Sequence, residues 1–140
     1  MNRRSIRKFT KGEIPQESLR KILEAGIWAP SGGNSQPWQF VLVRRGIDKI
    51  RMFSPGLFGK PSALVVICSD LERAERSKEP LSIDLVTFMD IGAAAQNMML
   101  RAYELGIGSC PVRSFSQKAV QRLLDLPEDK IPELIIALGY

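Results

Sequence analysis

The strongest constraint on this 140-residue chain is the segment from Leu81 or Ile83 to Leu105, its longest helix signal. The middle of that segment, Met89-Asp-Ile-Gly-Ala-Ala-Ala-Gln-Asn-Met-Met-Leu100, is apolar almost all round. A helix of that kind is buried on most sides. One sheet covers only one of them, and a lone domain of 15.6 kDa has a small interior. The reading therefore sets the helix in a core, with a partner subunit against one side.

Around it, strand and helix signals alternate. Apolar positions Leu19, Ile22, Leu23 and Ile27 recur at helical spacing from about Pro15, which suits a first turn, and Pro30 stops the helix. Trp38 to Arg45 reads as a strand and Ile47 to Phe53 as a short helix. Ser62 to Cys68 is a branched, apolar run expected to be buried on both faces. Residues 70–80 read as a surface loop or helix, Ile107 to Val112 as a short strand, and Leu134 to Leu138 as the last strand. Ser116 is placed to cap a helix carrying Ala119, Val120, Leu123 and Leu124. The alternation predicts a sheet with helices on both faces, in one domain spanning residues 1–140.

Composition removes several chemistries. There is no histidine, and Cys68 and Cys110 stand far apart, so Ser-His-Asp and Cys-His nucleophiles are excluded. No zinc site is expected, and no metal. If the chain is an enzyme, a cofactor supplies its chemistry. No apolar run approaches the roughly 18–20 residues of a membrane span, and the basic start lacks the apolar block of a signal peptide. These readings expect a cytoplasmic protein with no membrane partner. Residues 1–60 hold 12 Lys/Arg against 4 Asp/Glu, whereas residues 61–140 hold 8 against 11. A basic first half suits a phosphate-bearing partner, nucleic acid or nucleotide-type ligand.

Three segments carry the chemical signal. Arg3-Arg-Ser-Ile-Arg-Lys-Phe9 sets several cations and a hydroxyl where they can grip a phosphate, or it is a solvated basic arm. Pro30-Ser-Gly-Gly-Asn-Ser-Gln-Pro-Trp38 combines close backbone approach at its glycines with Ser31, Asn34 and Gln36 as partners for a flat polar ring. Its bland alternative is a helix-to-strand connection built on Asx-type turns. Leu105-Gly-Ile-Gly-Ser-Cys-Pro-Val-Arg-Ser-Phe115 offers free backbone N–H groups where a strand ends before a helix, or is a plain transition. Cys110 reads as a small buried hydrophobe.

Taken together and in order, RRSIRKF, APSGGNSQPWQFVLV, DIGAAAQNMMLRAYELGIGSC and LPEDKIPELIIALGY resemble the nitroreductase family of FMN-dependent oxidoreductases over nearly the whole chain. The resemblance implies an α+β fold, a three-layer α/β/α sandwich with a mixed sheet. It implies an intertwined homodimer with FMN at the interface, contacted by both chains. Carried over by position, Arg3, Arg4, Ser5 and Arg7 match the N-terminal FMN-binding motif, Arg3 and Ser5 at the phosphate and Arg7 at the N1–C2=O edge of the ring. Pro30, Ser31, Gly32, Asn34 and Gln36 match the segment that packs on the flavin from the other subunit. Pro111, Val112, Arg113 and Ser114 match the stretch whose backbone faces the ring near N5, with Ser114 where relatives often carry glycine.

The implied chemistry is ping-pong hydride transfer from NAD(P)H to flavin N5 and on to a small-molecule acceptor, a nitroaromatic, quinone or similar oxidised compound. The flavin carries that chemistry, and no side chain is assigned as catalytic acid or base. The C-terminal tail common in relatives is not expected here, and two phosphate contacts fewer would cost about 3–6 kcal/mol of FMN affinity. That motivates a rival reading, an FMN-binding or carrier protein of the same fold with little turnover. A nucleic-acid module is the other rival. It is disfavoured because no aromatic residues interleave with the basic ones.

Overall fold

The computed structural model describes residues 2–76 and 83–140. Nine elements follow in order: α1 (Gln16–Ile27), β1 (Trp38–Val43), α2 (Ile47–Arg51), β2 (Ala63–Asp70), α3 (Leu71–Glu75), α4 (Ile83–Glu104), β3 (Gly108–Val112), α5 (Gln117–Leu123) and β4 (Lys130–Gly139). A short 3-10 turn, Gly32–Asn34, precedes β1. The expectations for residues 77–80 and for a helix start at Leu81 lie outside the described residues.

The sheet runs β1-β2-β4-β3, and each neighbouring pair is antiparallel. Its parallel component is the bridge between Ser5 and Ser109, through which the N-terminal arm joins the free side of β3. β2 is buried at every residue and sorts its side chains by parity. Val65 and Ile67 join Ile136 and Leu138 of β4 in a core with Leu19 and Ile22 of α1 and Ala94, Ala95 and Met98 of α4. Leu64, Val66 and Cys68 join Ile135 and Ala137 in a second core with Ile50 of α2 and Val120 of α5. These are the three layers: helices, sheet, helices.

Local chemistry sets the boundaries. Pro15 stands just before α1 rather than within its first turn, and its carbonyl accepts the N–H groups of Ser18 and Leu19. Gly26 lets α1 close on α4, because a Cβ there would collide with Met98. At the same crossing Asn97 Nδ2 donates to the Ala25 carbonyl at 3.2 Å. Ser116 caps α5 by accepting the Ala119 N–H at 3.4 Å. β4 begins at Lys130, four residues before the expected strand. Among the described residues its first half has β2 on one side and no strand on the other, and such an edge tolerates Pro132. The Lys130–Asp70 ion pair at 3.0 Å closes that end.

Within the chain α4 is covered on one side and open on the other: Leu85, Phe88 and Met89 are 55%, 49% and 67% exposed, and Gly92 and Gln96 continue the same face. The inward face carries Ile91, Ala94, Ala95, Met98 and Ala102. Half of an apolar helix is thus offered to something outside the chain.

Candidate functional site

The N-terminal arm is seated on the β3–β4 end of the sheet. Ile6 N–H donates to the Ser109 carbonyl at 2.9 Å, and Thr10 donates to the Tyr140 carbonyl through its backbone N–H and through Oγ1. Two strand glycines make room for it. A Cβ on Gly108 would lie 3.1 Å from Ile6, and one on Gly139 would lie 2.7 Å from the Phe9 ring. Seating the arm sorts its cations: Arg4 and Arg7 are exposed, whereas Arg3 turns inward. Arg3 Nη1 is buried and has no hydrogen-bond partner. An unpaired buried guanidinium N–H is costly unless an anion meets it.

Beside the arm lies the exit of β3. Pro111, Arg113 and Ser114 are exposed, while Val112 points into the core and presents only its backbone. The connection from α2 to β2 touches both parts. Gly56 N–H donates to the Ser114 carbonyl at 3.4 Å, and Gly59 packs against the Arg7 carbonyl so closely that a Cβ has no place. In the same connection Ser54 Oγ is buried without a partner. Ser5, Arg7 and the residues from Pro111 to Ser114 therefore border one another on the β3 side, with Arg3 two residues before Ser5 on the arm and Ser54 two residues before Gly56 on the connection.

The loop from Pro30 to Gln36 belongs to the other side, leading into β1. Gly33, Asn34 and Gln36 adopt left-handed backbone, with φ of 53°, 55° and 49°. Holding two non-glycine residues there needs support. Ser31 Oγ accepts the Gln36 N–H at 3.0 Å, and Gln36 Nε2 donates to Asn34 Oδ1 at 3.1 Å. Asp90 of α4, itself buried, accepts the Gly32 N–H with both oxygens at 3.3 and 3.2 Å. The result is a preformed recess of about 420 Å³ between the loop and the outward face of α4, lined by Ser31, Gly32, Val86 and Met89.

The thirteen sequence-selected residues thus fall into two groups. The first borders the β3 edge and the second the β1 edge, at opposite sides of the sheet. Sequence reasoning passed over Asp90, Ser54 and Gly59. Asp90 had a readable signal, a carboxylate within the apolar middle of α4. Ser54 and Gly59 had none, because only tertiary packing buries Ser54 and sets Gly59 against the arm. Neither thiol is a nucleophile: both are buried, and burial, helped by the charge of Glu133, pushes the Cys68 thiol up to about 12. Among the described residues no cluster of three or more His, Cys, Asp or Glu is placed to hold a metal, and no helix is long and apolar enough to cross a membrane.

Comparison with known proteins gives concordant findings. A family model described as Nitroreductase family matches residues 1–53 and 50–140. A protein of Archaeoglobus fulgidus named NADH dehydrogenase/NAD(P)H nitroreductase is 37% identical over 146 residues, covering 99% of this chain and 80% of that one. Among solved structures, a nitroreductase family protein from Streptococcus pneumoniae superposes with a TM-score of 0.90 at 23% identity, covering 99% of this chain and 86% of that one. A nitroreductase from Desulfovibrio desulfuricans, solved in complex with FMN, gives 0.84 at 30% identity over 98% of this chain and 80% of that one.

Proposed function

This chain belongs to the nitroreductase family, and on that premise we propose that it transfers hydride from NAD(P)H to a small oxidised acceptor, a nitroaromatic or quinone, by a ping-pong reaction on bound FMN. It is an FMN-dependent NAD(P)H oxidoreductase with α+β architecture. The observation that carries the reading is Arg3 Nη1, a buried cationic donor with no partner among the described residues. A phosphate monoester is the ligand such a donor fits.

In this reading FMN, when bound, supplies the two-electron chemistry at N5. The protein binds and orients. Arg3 and Ser5 would hold the phosphate, with Arg4 beside them, and Arg7 would supply a positive charge at the N1–C2=O edge, favouring negative charge on the ring. The strand exit from Pro111 to Ser114 would turn its backbone toward the reacting edge, with Ser114 Oγ set against Gly56. Pro30, Ser31, Gly32, Asn34 and Gln36 come from a second copy of the chain. Ser31 still has its own hydroxyl proton to give, because within the loop its oxygen only accepts. The partner docks along Leu85, Phe88, Met89 and Gly92 of α4, whose open face borders the loop recess.

The test is to load the purified protein with FMN, desalt it, and follow its visible spectrum anaerobically on adding NADH or NADPH. Retained flavin that bleaches, recovers on adding a quinone and repeats the cycle supports the oxidoreductase reading. Retained flavin that neither donor bleaches supports a carrier instead.

A further inference from the structure

Glu133 is a buried carboxylate at the one place where β2 and β4 lose regular register. Pairing runs Ile67–Leu134 and then Cys68–Pro132, so Glu133 is an extra residue on β4 and forms a β-bulge. Bulges bend a strand and re-aim a side chain. Here the side chain is aimed inward, and Glu133 is 6% exposed. Its Oε1 accepts from Ser69 Oγ at 3.0 Å and its Oε2 from Gln117 Nε2 at 2.9 Å. The same Oε2 lies 3.6 Å from Arg113 Nη2. Gln117 Nε2 also donates to the Pro132 carbonyl at 2.9 Å, which clamps α5 onto the bulge. One carboxylate therefore ties together β2, β4, the start of α5 and the first residue beyond β3.

A buried carboxylate persists only where donors hold it, and both apolar cores close without this one. Its location gives it a purpose. β3 pairs with β4 as far as Val112–Ile135 and then leaves the sheet at Arg113, beside Glu133. The Arg113 and Glu133 side chains together border a small pocket of about 220 Å³ against Phe88, Ile91 and Gly92 of α4.

We propose that Glu133 is a positioning residue for the reaction. By holding the Arg113 guanidinium it fixes the course of Pro111 to Ser114, the strand exit whose backbone faces the reacting edge of FMN. This rests on the functional reading above. Glu133 touches neither cofactor nor substrate, and it acts only through Arg113 and the bulge.

Glu133→Gln tests this without removing the scaffold. Its amide oxygen still accepts from Gln117, and its amide N–H can donate to Ser69 Oγ, whose proton then turns to the Ile131 carbonyl 3.4 Å away. The negative charge beside Arg113 is lost. In protein without FMN, amide hydrogen exchange of residues 113–115 is expected to quicken on the order of tenfold, with an unchanged melting temperature. In FMN-loaded protein, the rate constant for anaerobic flavin reduction by NADPH is expected to fall by roughly tenfold or more, since positioning errors act on rate. FMN affinity is expected to hold within about threefold. Arg113→Gln should reproduce both changes, and the double variant should be no worse than Arg113→Gln alone. Additive losses in the double variant, or unchanged exchange and reduction in Glu133→Gln, would overturn the proposal. If Glu133→Gln does not fold, Arg113→Gln alone decides: normal exchange and normal reduction reject it. A wild-type protein that binds no FMN defeats the functional reading, while the exchange measurement still judges the positioning role.

Discussion

Replacing Arg3 with Met is expected to weaken FMN binding by about 1.5–3 kcal/mol, roughly one to two orders of magnitude in Kd. Methionine keeps most of the length and apolar stem while removing the charge. The expected effect on the protein without FMN has the opposite sign. Arg3 Nη1 is buried and unpaired in the folded chain, so desolvating it opposes folding and Arg3→Met removes that cost. A melting temperature equal to or above that of wild type, combined with a lost flavin titration, is the signature of a cation kept for a ligand. Arg4 and Arg7 differ, because both are solvated already. An Arg3→Met protein that binds FMN with wild-type affinity would move the phosphate elsewhere.

The second large effect is expected from Met89→Lys. Met89 is 67% exposed on α4, so a lysine there is harmless to a single folded chain. In a symmetric dimer packed along that face, two lysines would be buried without partners. Each costs on the order of 3–5 kcal/mol, enough to abolish association at ordinary concentrations. Sedimentation should then show a folded monomer, with unchanged circular dichroism, that retains no FMN after desalting. The loss of flavin follows because the Pro30–Gln36 loop and the N-terminal arm stand at opposite edges of one sheet. A Met89→Lys protein that stays dimeric would place the interface elsewhere.

The parts of this molecule that depend on local pattern were legible in the sequence. The period of Leu19, Ile22 and Leu23 gave α1, and the branched run from Ser62 to Cys68 gave a strand buried on both faces. Ser116 gave the cap of α5. What was not legible depends on what lies alongside. β4 starts at Lys130 because β2 is there to pair with it, and neither Lys130 nor Pro132 announces a strand. The reading of α4 set a partner against one side, but composition counts apolar residues without saying which of them face it. Among the described residues the outward stripe of Leu85, Phe88 and Met89 lies outside both hydrophobic cores. For the site, motif order marked three segments, but not that one chain holds two of them on one edge and the third on the other. Of the polar residues that brace the segments, Asp90 stood out as a carboxylate in an apolar stretch but not as a support for the loop, and Glu133 at the bulge gave no signal. A carboxylate becomes a brace only when the fold buries it against particular N–H groups.

The proposed flavin site needs two copies of this chain to be complete. Co-expression of two differently tagged variants tests it most directly. One carries Arg3→Met, which disables the arm, and the other carries Ser31→Tyr, which fills the loop recess; mixed dimers are isolated through both tags. Pairing across the interface then leaves one site with both defects and one with neither. The mixed dimer is expected to hold about one FMN per pair of chains at wild-type affinity, half of the normal complement, whereas each parent dimer holds almost none. If each site were built within a single chain, every site in the mixed dimer would carry one defect. A mixed dimer as empty of flavin as its parents would therefore contradict the account.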